Sequence, residues 1–208
     1  MGRAIYVSSV NGDDANSGYA PEKAFRSLRK VNQMEIQPGD QILLERGSVF
    51  AGEYLHLYKG GTKEAPVVVD AYGEGALPRI EADGNGIWYQ NYGGHLDNVV
   101  HTWKGYLSSA VLLYDAEYIT VRNLEITNDP LVKNERMNQA DRMNRTGVSV
   151  IAQNHGTLHQ IELAYLYIHD VEGNIYDKHL NNGGIYMSVS RPDDEEKTGI
   201  ARYDGIHI

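Results

Sequence analysis

Ile119-Thr120-Val121-Arg122-Asn123-Leu124-Glu125-Ile126 and Ile161-Glu162-Leu163-Ala164-Tyr165-Leu166-Tyr167-Ile168 carry one pattern twice, 42 residues apart. In each copy apolar residues stand at relative positions 1, 3, 6 and 8. A flat strand sends alternate side chains to opposite faces, so it cannot bury both pairs on one side. A strand that turns a corner between the two pairs can. A second series repeats every 37 residues: Ala110-Val111-Leu112-Leu113, Gly147-Val148-Ser149-Val150 and Gly184-Ile185-Tyr186-Met187. Short bent strands at a long, insertion-tolerant period signify stacked coils, each covering the inward side chains of the next.

Toward the N-terminus, Ala4-Ile5-Tyr6-Val7-Ser8 reads as a strand and Asn11 to Gly18 as a turn-rich connection. The spacing predicts a helix over 21–33. Pro21 lies in its first turn, Glu22 near its positive end, and Ala24, Leu28 and Val31 on one face. Gln37-Pro38-Gly39-Asp40 is a turn leading into a strand at 41–45. The expected fold is therefore all-β, a right-handed parallel β-helix with an N-terminal capping helix. It forms one domain over 1–208, with the cap at 1–45 and coils over 46–208. Ile206-His207-Ile208 reads as the start of another copy, so the last coil is expected to be unfinished, completed by further residues or by a second chain. A β-sandwich also repeats short strands, but corner slips at the same place in two copies favour coils.

The composition narrows the function classes. The 208 residues carry a formal charge of −9, which repels phosphate backbones and speaks against nucleic acid as a partner. No run of 18 apolar residues is present, so no membrane insertion is expected. The absence of cysteine excludes disulfides, thiol catalysis and cysteine-ligated metals. Fifteen tyrosines and 22 glycines suit a turn-rich chain with many half-exposed aromatic positions.

Chemistry must then come from Asp, Glu, His, Lys, Arg and Tyr. They are densest in His169-Asp170-Val171-Glu172-Gly173-Asn174-Ile175-Tyr176-Asp177-Lys178-His179-Leu180-Asn181-Asn182-Gly183-Gly184, which links a bent strand to the next coil. Asp170 and Asp177 lie seven residues apart, flanked by His169, Lys178 and His179. Paired carboxylates suit glycoside cleavage, because proximity lets one stay protonated while the other is ionised. Asp170 also stands 42 residues after Asn128, so it can equally be read as an Asx turn residue at a coil corner. Trp88 and Trp103 are candidate sugar-stacking platforms or packing residues. Arg136, Arg142 and Arg145 fall in or beside a polar insertion, read either as solvated loop or as substrate-facing lid. Asp193-Asp194-Glu195-Glu196 is a solvated acidic run or a structural calcium site, and no other cofactor is required.

The opening strand, the Pro21 helix and Gln37-Pro38-Gly39-Asp40 resemble the N-terminal coil of pectin-lyase-like β-helix proteins. The stretch from His169 to Asn174, with Tyr176-Asp177-Lys178-His179 and Asn181-Asn182-Gly183-Gly184, resembles the catalytic coil of glycoside hydrolase family 136, the lacto-N-biosidases. The resemblance implies release of lacto-N-biose from milk-type oligosaccharides by a retaining mechanism, with Asp170 as acid/base and Asp177 as nucleophile. Lys178, His179, Asn182, Trp88 and Trp103 are expected to bind substrate, and the protein to act outside the cell or at its surface. Family members carry a helical segment before the β-helix and more coils after it, neither of which this chain contains. Two rivals remain: a polysaccharide lyase on the same scaffold, which needs cationic or metal help, and a non-catalytic glycan-binding or adhesin β-helix.

Overall fold

The computed structural model describes residues 2–91, 104–129, 143–173 and 181–208. The chain visits three sheets in rotation. After β1 (Ala4–Val7) and a short helix α1 (Leu28–Asn32), it forms β2 (Gln41–Glu45), β3 (Val49–Ala51) and β4 (Leu55–Leu57), one strand in each sheet. The next round is β5 (Val67–Tyr72), β6 (Arg79–Glu81) and a hairpin of β7 (Ile87–Asn91) with β8 (Lys104–Tyr114). Two more follow: β9 (Ile119–Arg122), β10 (Glu125–Asn128) and β11 (Asn144–Ala152), then β12 (Thr157–Ala164), β13 (Tyr167–Val171) and β14 (Gly183–Val189). After a single-turn helix α2 (Glu195–Thr198), β15 (Arg202–His207) returns to the first sheet. The sheets run β1-β2-β5-β9-β12-β15, β3-β6-β10-β13 and β4-β8-β11-β14. Among the named strands every pairing is parallel except β7 on β8.

Parallel pairing sets each inward residue beside its counterpart in the neighbouring round. In the first sheet Ile5, Ile42, Val69, Val121 and Leu163 form one row, and Val67, Ile119, Ile161 and Ile206 another. In the second sheet Phe50, Ile80, Ile126 and Ile168 align. In the third, Leu55, Val111, Val148 and Ile185 run beside Leu57, Leu113, Val150 and Met187. Most of these side chains are fully buried in one continuous core. The corners foreseen between the apolar pairs fall at Asn123 and Tyr165, with φ of 58° and 53°. Left-handed backbone there reverses the alternation, so Leu124 and Leu166 turn inward again.

The N-terminal helix is shorter than the spacing predicts. Pro21–Lys23 is a 3-10 turn and α1 spans only Leu28–Asn32. Phe25 is drawn out of the helix by backbone bonds to the first strand: its N–H donates to the Tyr6 carbonyl at 2.9 Å and its carbonyl accepts from Ser8 N–H at 2.8 Å. The Asp14 carboxylate then takes the N–H groups of Arg26 and Ser27, ordering the chain ahead of α1. Leu28 and Val31 are buried against the first rounds, so α1 still covers apolar surface there. Among the described residues no helix is long and apolar enough to cross a membrane.

Because Ile161 is buried between Ile119 and Ile206, Ile161→Ala should lower unfolding free energy by about 2–4 kcal/mol in urea denaturation. Glu162→Ala, on the outward face beside Thr120, should change it by no more than about 0.5 kcal/mol. Equal effects at the two positions would contradict the alternation.

Candidate functional site

The second sheet departs from strict register at one place. Glu125 pairs with Tyr167 and Ile126 with Ile168, but Asn128 pairs with Val171. His169 and Asp170 together therefore oppose Thr127 alone, which is a β-bulge. Asp170 takes up the extra residue in left-handed backbone, with φ of 46°. The register thus corrects the expectation that Asp170 is the counterpart of Asn128. Asn128 is fully buried. Its amide donates to the carbonyls of Ser108 and Thr146, at 3.2 and 3.0 Å, and its oxygen accepts from Gly84 N–H at 3.0 Å. Asp170 instead points outward with 70% of its side chain exposed.

The outward row beside the bulge is charged. His169 places Nδ1 2.9 Å from an Asp170 oxygen and Nε2 3.0 Å from a Glu125 oxygen. Arg79 bonds the same Glu125 oxygen at 3.2 Å and reaches Glu81 at 2.7 Å. The Tyr167 ring stacks on the His169 imidazole with centroids 4.3 Å apart. The hydrogen bond to Glu125, then that to Asp170, raises the His169 pKa above its ordinary value. Burial alone would push Glu125 up, but bonds from His169 and Arg79 outweigh it and hold the carboxyl below the usual range.

The described residues after the bulge are tied by hydrogen bonds between side chains and backbone. Asn182 accepts the Arg145 backbone N–H at 2.9 Å, and the Arg145 guanidinium donates to the Glu172 carbonyl at 3.1 Å. Gly173 sits so close that an added Cβ would fall 2.0 Å from the Asn182 side-chain oxygen, so any larger residue must displace this contact. Asn181 donates to Gln90 at 3.3 Å, and Gln90 donates to the Tyr186 hydroxyl at 3.1 Å. Asn182 thus ties β14's approach to β11 and lies against Gly173.

Trp88 does not present an open platform. It is only 7% exposed, packs with Leu107, Leu112 and Ile151 on the outer face of the third sheet, and donates from Nε1 to Ser109 at 2.8 Å. His56 donates to the carbonyl of the same Ser109 at 2.9 Å, and burial pushes the His56 pKa down to about 4. Asp177, Lys178, His179, Trp103, Arg136 and Arg142 lie outside the described residues. In the acidic run, Asp194 caps α2 by accepting Lys197 N–H, and Asp193 accepts from Asn154. Among the described residues no three His, Asp or Glu side chains gather as a metal site.

Glu125 and Arg79 were not singled out from the sequence, because outward polar residues of separate rounds carry no mark of chemistry on their own. A signal did exist. Glu125 shares position 7 of the repeated motif with Tyr167, which puts it on the outward face beside His169.

No family model matches the chain. A lacto-N-biosidase of Bifidobacterium longum subsp. longum is 41% identical over 215 aligned residues, which cover 92% of this chain and 13% of that protein. The crystal structure of a GH136 lacto-N-biosidase from Eubacterium ramulus superposes with a TM-score of 0.90 at 57% identity, over 98% of this chain and 33% of that one. Its selenomethionine derivative gives 0.91 at the same identity. The chain therefore spans about an eighth of the curated relative and a third of the solved one.

The Glu125–His169 pair makes stability depend on pH. A raised imidazole contributes fully below about 6.5 and loses its contribution as pH climbs through the folded-state value. A lowered carboxyl contributes above its unfolded pKa and loses that as pH falls. Thermal unfolding should thus show about 1 kcal/mol or less lost between pH 6 and pH 9 through this pair, screened by its partial exposure. Glu125→Gln should flatten that part of the curve. An unchanged slope in the variant would remove the pair as its source.

Proposed function

We propose that these residues are the catalytic part of a retaining glycoside hydrolase of the lacto-N-biosidase type, releasing lacto-N-biose from milk-type oligosaccharides such as lacto-N-tetraose. The observation that carries this reading is Asp170. A one-residue bulge lifts it out of a buried row and exposes it where the chain enters the Asp177 segment. The likeness to lacto-N-biosidases over nearly the whole chain supports the substrate class.

The scaffold is read as a right-handed parallel β-helix. The rotation through three parallel sheets supports the winding, and the right-handedness of about 98% of parallel crossovers supports its hand. Such a scaffold holds a carboxylate on rigid strands, which suits a reaction that depends on placement.

In this mechanism Asp170 gives its proton to the glycosidic oxygen while the Asp177 carboxylate bonds the anomeric carbon. The leaving sugar departs with the electron pair of the broken bond. Water then attacks the covalent intermediate, Asp170 takes the water's proton, and Asp177 is released. Two displacements at one carbon retain its configuration.

In the natural chain that contains these residues, Asp170→Asn and Asp177→Asn should each lower turnover of lacto-N-tetraose by about 10³-fold, with unfolding temperatures near that of the parent. Proton NMR of the fresh product should show retained anomeric configuration. Near-normal hydrolysis by either variant, or an inverted product, would overturn the assignment.

A further inference from the structure

We infer that His169 is a positioning residue for Asp170: clamped between Glu125 and Asp170, it fixes the direction of the Asp170 carboxyl and shares the proton that carboxyl delivers. This rests on the reading of Asp170 as the acid/base.

The geometry carries it. Both nitrogens of one imidazole face carboxylate oxygens, at 2.9 and 3.0 Å. A neutral imidazole has a single N–H, so it cannot donate to two ionised carboxylates. Either the ring is an imidazolium between two carboxylates, or it is neutral and Asp170 holds a proton that it donates to Nδ1. The two arrangements contain the same number of protons and differ by a transfer along one hydrogen bond. Arg79 lies on the Glu125 oxygen that meets Nε2, which keeps Glu125 ionised and the proton on Nε2 in both. The mobile proton is therefore on the Asp170 side of the ring.

Over a reaction cycle the Asp170–His169 pair begins with one shared proton. The leaving oxygen takes it from Asp170 as the glycosidic bond breaks, and the pair is left with Asp170 ionised and Nδ1 bare. The attacking water returns one proton when its oxygen bonds the anomeric carbon. No proton from elsewhere is needed. The Tyr167 ring stacked on the imidazole and the bulge backbone at Asp170 hold the two groups in line.

The charged and titratable groups around His169 among the described residues are few. On β13 they are Tyr167 and Asp170; on β10, Glu125. On β6, Arg79 and Glu81 act through Glu125. Of the other strands packed on β13, β11 brings Arg145, bonded to the Glu172 carbonyl, and β14 brings Tyr186, bonded to Gln90. Apart from Asp170 itself, Glu125 is thus the group that bonds the His169 ring directly.

The test is the pH dependence of kcat/KM on lacto-N-tetraose, using the natural chain. Glu125→Gln should move the alkaline limb to lower pH. His169→Asn should move it at least as far and lower kcat/KM at pH 7 by about tenfold or more. The double variant should coincide with His169→Asn, since Glu125 acts through the ring. An unshifted alkaline limb in His169→Asn, or a double variant displaced well beyond it, would overturn the inference. Should the His169 variant fail to fold, an NMR titration of the His169 ring decides instead. Its pKa should fall in Glu125→Gln, and an unchanged value would count against the clamp. Asp170→Asn separates the two levels. If it stays active, the reading of Asp170 fails; if it is inactive while the His169 variant keeps its alkaline limb, only the role of His169 fails.

Discussion

In-register parallel pairing is the constraint on which the molecule depends. Each inward side chain rests against its counterpart in the next round, as Phe50, Ile80, Ile126 and Ile168 do in the second sheet. Alternation then leaves no freedom: a residue one place along must face the other way. A single inserted residue is enough to change what a position does. Between β10 and β13 that insertion separates Asn128, buried and fully bonded, from Asp170, exposed and aimed outward. Pairing resumes with Val171 opposite Asn128.

The same register organises the outer faces. Strands in a sheet lie about 4.8 Å apart, so outward side chains of successive rounds meet directly or on the diagonal. On the second sheet this produces a linked series, Glu81, Arg79, Glu125, His169 and Asp170, in which Arg79 lies between two carboxylates and the His169 ring between two more. On the third sheet the outward residues Leu112 and Ile151 are apolar instead, and the hairpin strand β7 covers them with Trp88. Gln90 on that strand reaches Asn181 and Tyr186, so the apolar cover and the chain leading back from the site are tied together.

The rows were legible in the sequence because burial forces apolar residues into fixed positions. Positions 1, 3 and 8 of the two bent motifs, and the 37-residue series through Val111, Val148 and Ile185, are rows seen in the sheets, while position 6 supplies the core contacts of Leu124 and Leu166 at the corners. The bulge was not legible, since an Asn and an Asp stand at the same offset and nothing local distinguishes a buried amide from an exposed carboxylate. The break in the N-terminal helix was hidden for a related reason. Ala24 and Phe25 are acceptable helix residues, and only their backbone partners, Tyr6 and Ser8 for Phe25 and Asp13 for Ala24, draw them out. The Asp170–Asp177 spacing was readable as a motif, whereas the clamp of His169 by Glu125 arises from two rounds meeting.

The most direct measurement is a crystal structure of the natural chain with the Asp170→Asn substitution, bound to lacto-N-tetraose. The scissile glycosidic oxygen should lie within hydrogen-bond distance of the position-170 side chain, and the Asp177 carboxylate should face the anomeric carbon from the opposite side of the sugar. The carboxyl positions of a retaining pair should lie about 5–5.5 Å apart. A substrate seated away from the bulge, or a separation beyond about 10 Å, would contradict it and leave position 170 as a turn at a strand corner.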